Sequence, residues 1–429
     1  MPRVLLLMST ATYRAGAFLE AARALGVPAV VGTDRAQALA SLNPEGHLTL
    51  DFADEAGSVR EIVAFARRTP LEAVIATDDD GAILAARAAG ALGLAHAPAS
   101  AVRAARSKLA TREAFARAGL PTPRFECFSI ADDPQAIARR VAYPCVLKPL
   151  FLAASRGVIR ANDEAELVSA FTRIAALLSR PGLAAQGGEE ARSILIEGYI
   201  PGIEVAVEGL VSAGRLRVLA LFDKPDPLEG PYFEETIYVT PSRLPAPRQQ
   251  AIAAMAQRAV AALGLSHGPI HAELRLGRDD VWPLEIAPRS IGGLCSWALR
   301  FGAGASLEAL ILRHALSLGA DALEREGMAA GVMMIPIPRA GTLRAVGGIQ
   351  EGLSVPGIED LRITIPVGQE VVPLPEGNRY LGFLFARADT PDRVEGALRE
   401  AHRRLTFDIV APPPEVKGVA GLATEGALE

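Results

Sequence analysis

Two acidic residues stand where acids are costly. The segments GPIHAELRL (268–276) and VWPLEIAPRSIGG (281–293) flank a GRDD turn and read together as a hairpin. His271, Glu273 and Arg275 alternate with Ala272, Leu274 and Leu276, so the polar residues share one face. On the return strand Trp282, Leu284 and Ile286 take one face and Glu285 the other. A one-residue adjustment at the turn places Glu273 opposite Glu285. Directly opposed carboxylates repel unless a proton or a cation bridges them. Two carboxylates suit Mg2+, a hard ion that keeps some of its waters and bridges to phosphates. Arg289 then offers its planar fork to a phosphoryl oxygen. The competing reading is a pair of surface salt bridges, Glu273 to Arg275 and Glu285 to Arg289.

Lysine usage sharpens the argument. Lysine and arginine total 44, yet only Lys108, Lys148, Lys224 and Lys417 are lysine. A lysine kept in so arginine-rich a chain suits a place that wants a compact, flexible ammonium. Lys417, in a Pro/Gly-rich tail, carries no such argument. Lys108 opens a helix that stops at Gly119, and Lys148 ends a buried strand, YPCVLKP. A loop with Ser155, Arg156 and Gly157 follows, then a strand and turn with Glu197, Tyr199 and Glu204. Lysines and a loop of this kind can neutralise phosphates. Backbone groups beside Glu197 can read adenine, and a carboxylate can accept both ribose hydroxyls.

The elements that must position these residues fall into blocks. Strand–helix alternation over 1–97 predicts an open α/β domain with a mostly parallel sheet. No GxGxxG follows its first strand, so a dinucleotide fingerprint is absent. The acidic loop Asp78–Asp80 either faces a ligand or caps the following helix. Residues 98–185 give helices and short strands around Lys108 and Lys148. Residues 186–325 hold a run of strands, a long helix and the carboxylate hairpin. Residues 326–410 read as a compact α+β domain or lid, and 411–429 has the composition of a disordered tail.

Composition bounds the function. The chain has 429 residues, 50% hydrophobic and 22% charged, with net charge −5. That favours neither nucleic acid nor an anionic membrane as partner. No run of 18 uncharged apolar residues occurs. The start, MPRVLLLMST, reads as a first buried strand rather than a secretory signal. Three scattered cysteines without a CxxC fit a reducing, cytoplasmic setting and argue against zinc.

In this order and spacing the chain resembles the ATP-grasp superfamily, and within it the carboxylate–amine ligases that include bacterial L-amino-acid (dipeptide) ligases. The resemblance covers roughly residues 1–410. It is carried by SKLATREAFARAGLPTP, YPCVLKP, SRGV, ILIEGYIPGIEVAVEG, PYFEE, HAELRL and WPLEIAPRSIGG. It implies an ATP-grasp fold with an amino-terminal open α/β domain, and ATP with Mg2+ (or Mn2+) as cofactors. Lys108, Lys148, Ser155, Arg156, Gly157, Glu197, Tyr199, Ile200 and Glu204 would then contact the nucleotide, and Glu273 and Glu285 the metal. Arg289 and Lys148 would be catalytic. Glu234, Glu235, His271, Gly292, Gly293 and Trp297 are pocket candidates, although a tryptophan on a helix is more often core. Ala287 stands where many members of the superfamily carry asparagine, and FLAASRGV is poorer in glycine than the usual phosphate loop. The partners implied are a small carboxylate and a small amine, and a homodimer is compatible with the resemblance. Two other readings stay open: a carboxylase or purine-pathway ligase of the same fold, and a nucleotide-binding module without catalysis.

Overall fold

The computed structural model describes residues 2–10, 12–36, 46–278, 280–302, 304–320 and 323–411. The tail expected to be disordered lies, after residue 411, outside the described residues. Among the described residues no helix is long and apolar enough to cross a membrane.

The chain opens with β1 (Val4–Met8), α1 (Ala15–Ala24), β2 (Ala29–Thr33), β3 (His47–Thr49), α2 (Glu55–Ala66), β4 (Ala73–Ala76) and α3 (Ala82–Ala91). The four strands form a parallel sheet in the order β3-β2-β1-β4. Every residue of β1 is buried, as a central parallel strand with both faces covered requires. Val4, Leu6 and Met8 pack with Phe18 of α1, while Leu5 and Leu7 pack with Ile62 and Phe65 of α2 and Leu84 of α3.

Two helices, α4 (Ala99–Arg106) and α5 (Lys108–Arg117), lead into a second sheet. It is built from β5 (Phe125–Ser129), β6 (Cys145–Pro149), β7 (Ile159–Ala161) and β8 (Ser193–Gly198), in the antiparallel order β5-β8-β6-β7. Between these strands run α6 (Pro134–Ala138), α7 (Glu164–Leu178) and α8 (Pro181–Gly187). Asp163 caps α7 by accepting the Glu166 N–H, and the Glu166 carboxylate accepts the Asn162 N–H in return.

The largest sheet has eight antiparallel strands. It starts with β9 (Ile203–Ser212), β10 (Arg215–Asp223) and β11 (Ile237–Thr240), crosses α9 (Ala246–Leu263), and returns as β12 (His267–Leu276) and β13 (Val281–Ala287). The short hairpin β14 (Arg300–Phe301) and β15 (Ala305–Ser306) precedes α10 (Leu307–Ala315). The chain then runs through β16 (Ala329–Ile335), β17 (Gly341–Gly347), α11 (Ile349–Leu353), β18 (Ile358–Ile363), β19 (Glu370–Val371), β20 (Gly382–Ala388), α12 (Pro391–Arg404) and β21 (Thr406–Val410). The sheet order is β13-β12-β9-β10-β11-β16-β20-β18, and β19-β17-β21 forms a separate small sheet. Because β16 pairs with β11, one sheet runs through residue 326, where the sequence suggested a boundary.

Strand period divides the work of this sheet. Ile270, Ala272, Leu274 and Leu276 of β12 pack towards α9 together with Val205 and Val207 of β9. His271, Glu273 and Arg275, with Glu204 and Glu208, are left to the other face. Glu273 and Glu285 are register partners, but the adjustment that pairs them is not in the turn. It is a bulge: Leu274 pairs with Pro283, so Leu284 is the extra residue. The phase of β13 therefore changes, and the expected shared face of Trp282, Leu284 and Ile286 is not formed. Trp282 opposes Arg275, on the face of Glu285, whereas Ile286 opposes Ala272 on the core side. Pro283 is tolerated because β13 is an edge strand.

Leu398 of α12 is fully buried beneath β16 and β20 with Val394 and Ala401. Leu398→Ala is expected to cost roughly 2–5 kcal/mol, read as a lower urea midpoint. An unchanged midpoint would show that α12 does not cover this sheet.

Candidate active site

A cavity of about 230 Å3 lies where the three parts of the chain meet. β6 delivers Lys148 to one wall, the end of β8 delivers Glu197, and the helix start at α5 delivers Lys108. β12 and β13 supply His271, Glu273 and Glu285, and the turn after β13 supplies Arg289, Gly292 and Gly293. Ser155, Tyr199, Ile200, Glu204 and Glu235 also line it.

Four expected residues do not line it. Arg156 donates from Nε to the Glu376 carbonyl at 2.8 Å, and the Gly157 N–H donates to the Pro375 carbonyl at 2.9 Å. The phosphate-type loop is thus tied to the carboxy-terminal segment at these two residues. Its missing glycines are replaced by Ala154 and Ser155 in left-handed conformations, φ 54° and 53°, that glycine adopts more readily. Trp297 stacks on Phe385 at 5.5 Å with Arg362 over its ring, so it is packing rather than a pocket wall. Glu234 is half-buried outside the cavity, and its neighbour Glu235 faces in.

Three charge networks hold the lining. In the first, Glu197 accepts from Arg112 at 2.6 and 3.0 Å and from Lys148 at 2.5 Å. Arg112 also donates to the carbonyl of Leu284, the bulged residue, at 2.7 Å. Burial pushes the Glu197 carboxyl up, but Arg112 and Lys148 outweigh it and hold it at about 2. Its side chain is therefore an anchor for Lys148. Tyr199 has the Arg160 guanidinium over its ring at 4.0 Å and that of Arg275 at 5.3 Å.

The second network centres on Lys224. Its buried ammonium meets Glu204 at 2.7 Å, Glu273 at 3.2 Å and Glu235 at closer range. Arg275 donates to the second Glu204 oxygen at 3.1 Å and to the Ile200 carbonyl at 2.8 Å. That leaves one acceptor site on each Glu204 oxygen for a ribose hydroxyl. Burial alone would lower Lys224, but the three carboxylates hold it well above its ordinary value. Burial raises Glu235 to about 7 against the pull of Lys224, with Glu273 and Glu204 adding to the rise. Glu273 is held well below its ordinary value against burial, chiefly by Lys224 and His271. Of these carboxyls Glu235 is the one whose proton is exchanged near neutral pH. His271 stands between Glu208, 2.5 Å from Nδ1, and Glu273, 3.5 Å from Nε2. Burial pulls the ring down, yet the two carboxylates raise it to about 9, which makes it an imidazolium at neutral pH.

Glu204, Glu235 and Glu273 place oxygens within 4.8 Å of one another, but the Lys224 ammonium already serves all three. Glu273 and Glu285 are register partners that both line the cavity and could hold a hard divalent ion, with Ala287 offering no third ligand. Glu285 is 3.4 Å from Lys108, whose ammonium donates to the Leu152 carbonyl at 2.6 Å.

In the third network Arg289 donates from Nε and one terminal nitrogen to Asp79, at 3.1 and 2.9 Å. Asp79 also pairs with Arg106 at 2.8 Å. The cap of α3 is Gly81, with no side-chain hydrogen bond, and of the acidic loop Asp79 faces the cavity.

Sequence reasoning missed Arg112, Glu208, Lys224 and Arg275 as parts of the site, and left Asp79 open between facing a ligand and capping a helix. The rarity of lysine did single out Lys224, and alternation put Arg275 on the face of Glu273. Nothing local marks Arg112, whose partners lie 85 and 172 residues away.

The folded Glu197 carboxyl, near 2 against an ordinary 4.5, contributes stability that is present above about 4.5 and lost as pH falls towards 2. The contribution is on the order of 3 kcal/mol. Glu197→Gln is expected to lower the melting temperature at pH 7 and to flatten its fall between about pH 4.5 and 3. A variant that tracks the native protein through both ranges would show that the carboxylate is not paired.

Comparison with known proteins agrees with this fold. The family described as ATP-grasp domain matches residues 141–298, the ATP-grasp N-terminal domain matches 19–96, and the L-amino acid ligase C-terminal domain 2 matches 333–410. The crystal structure of the L-amino acid ligase from Bacillus licheniformis superposes with a TM-score of 0.81 at 26% identity, over 96% of this chain and 99% of that one. The alanine–anticapsin ligase of Bacillus subtilis (strain 168) is 29% identical over 248 residues, 54% of this chain and 52% of that protein. Carnosine synthase 1 of Gallus gallus is 31% identical over 291 residues, 64% of this chain and 30% of that protein. The chain thus spans about half the length of the first of these two curated relatives and less of the second. With its three matched regions in sequence and a whole-length structural counterpart, the chain belongs to the ATP-grasp superfamily and carries a carboxy-terminal domain of the L-amino acid ligase type.

Proposed function

We propose that this protein is an ADP-forming carboxylate–amine ligase that joins amino acids or related small acids through an acyl phosphate. The observation that carries the reading is one continuous cavity that holds Lys108 and Lys148 together with Glu273, Glu285 and Arg289. A carboxylate is a poor electrophile, and phosphorylation by ATP gives it a leaving group. Catalysis is then placement and charge stabilisation. Lys108 and Lys148 neutralise phosphate oxygens. Glu273 and Glu285 would hold Mg2+, which lowers the charge on the phosphoryl oxygens when bound. Arg289 stabilises the phosphoryl group in transfer and then the acyl phosphate. The amine must arrive uncharged. Glu235, at about 7, is poised to accept its proton, whereas His271 is already protonated near neutral pH. ATP as co-substrate makes the cytoplasm the working compartment on this reading.

The carboxylase and purine-pathway alternative is not favoured. Biotin carboxylases follow the site arginine with a Q-V-E-H-like run, and here Ser-Ile-Gly-Gly follows Arg289. The non-catalytic alternative is not favoured either, since a module that only binds nucleotide has no need of two opposed carboxylates and a partly buried arginine lining the same cavity.

A pairwise panel of amino acids with Mg-ATP is expected to release ADP and phosphate, with a product mass equal to the two substrates minus one water. Formation of AMP and pyrophosphate would overturn the reading. Glu273→Gln and Glu285→Gln are each expected to lower turnover by at least about 100-fold, and Arg289→Lys by a similar factor. Near-native turnover in both glutamine variants would remove these residues from the metal site.

A further inference from the structure

The amino-terminal sheet has the order β3-β2-β1-β4, so strand order reverses between β1 and β4. The crevice beyond the carboxyl ends of two such strands is where open α/β sheets place functional groups. Here that crevice opens onto the cavity, and Asp79 follows β4 at this point. One Asp79 oxygen accepts twice from Arg289, at 3.1 and 2.9 Å, and the other pairs with Arg106 at 2.8 Å. The carboxylate is thus fixed by a second arginine before it fixes the first.

Arg289 has five N–H groups. Two go to Asp79, and one goes to the Ser290 carbonyl at 3.1 Å. Among the described residues this leaves one N–H on each terminal nitrogen of a side chain that lines the cavity. The next residue is held from the same domain. Arg14, at the start of α1, donates to the Ser290 hydroxyl at 2.6 Å and to the Thr77 carbonyl at 2.7 Å, and pairs with Glu308 at 3.4 Å. The Arg289–Ser290 turn is therefore gripped at two points by the amino-terminal domain, at one side chain and at its neighbour.

We propose that Asp79 is a positioning residue for Arg289: it engages one edge of the guanidinium so that the remaining N–H groups are set for a phosphoryl oxygen. This rests on the ligase reading above. Both Asp79 oxygens are engaged by arginines, so in this role it acts through Arg289. The amino-terminal domain thereby completes the phosphoryl-transfer site, and a site built without that domain lacks its orienting anion.

The test is a cycle of Asp79→Asn, Arg289→Lys and the double variant. Asp79→Asn is expected to lower kcat for ADP release by about 10- to 100-fold, the range seen when groups that orient a functional ligand are removed, with KM for Mg-ATP within about twofold. In the Arg289→Lys background the same change is expected to cost less than about twofold, because the residue it acts through is gone. A ligand-free readout accompanies these rates. The Arg289 Nε–H signal in the 15N NMR spectrum, identified by its absence from Arg289→Lys, is expected to be sharp in the native protein and exchange-broadened in Asp79→Asn. If Asp79→Asn fails to fold, Asp79→Glu, which keeps the charge but moves it outward, is expected to show the same kcat loss with KM kept. A native protein that releases no ADP with any carboxylate–amine pair overturns the ligase reading and this role with it. Native turnover in the Asp79 variant, an equal loss in the Arg289→Lys background, or an unchanged Nε–H signal overturns the positioning role alone.

Discussion

Three carboxylates meet on one face of the eight-stranded sheet, and a single buried ammonium makes that arrangement tolerable. Without Lys224 the oxygens of Glu204, Glu235 and Glu273 would crowd one another in a medium that screens charge poorly. With it, and with Arg275 on Glu204 and His271 beside Glu273, the carboxylates sort into unlike states: Glu273 ionised and Glu235 near its midpoint at neutral pH. The division of labour proposed for the site, a metal carboxylate beside a proton acceptor, rests chiefly on that cation, with His271 assisting at Glu273. A flexible, compact ammonium reaches three partners at once in a way that a planar guanidinium does not.

The other networks translate this local balance into architecture. Arg112 joins α5, β8 and the bulge of β13, so the helix that begins with Lys108 is locked to the strand that carries Glu285. Removing one partner from such a buried group strands the rest, and these links contribute more to specifying geometry than to raw stability. Hydrophobic packing follows the same joints. Val4 and Phe18 of the first domain share a core with Leu310 of α10 and Phe383 of β20.

Much of this was legible in the chain. Period-two alternation located the polar face of β12, and the buried first strand, the spacing of Lys108 and Lys148, and the carboxylate pair carried the ATP-grasp resemblance. What escaped did so for identifiable reasons. The bulge at Leu284 shifts the phase of β13 within two residues, and alternation read straight through it puts Trp282 on the wrong face. Trp297 has the same sequence signature as packing or as pocket wall, and only the positions of Phe385 and Arg362 decide. Arg112 and Glu208 acquire meaning from partners 63 to 172 residues distant, which no local pattern encodes, and Asp79, visible as part of an acidic loop, is assigned only by Arg289, 210 residues away.

The pairing of β11 with β16 bears on how such a chain can change. Its carboxy-terminal segment contributes β16, β20 and β18 to the sheet whose opposite end holds the carboxylates. It is therefore a poor unit for grafting between homologues. A transplanted segment would have to reproduce the hydrogen-bond ladder from Ile237 to Thr240, and a chain severed there would bare two strand edges to intermolecular pairing. Variation is more readily accommodated in loops, whose length can drift without disturbing a ladder, than by exchange of whole segments.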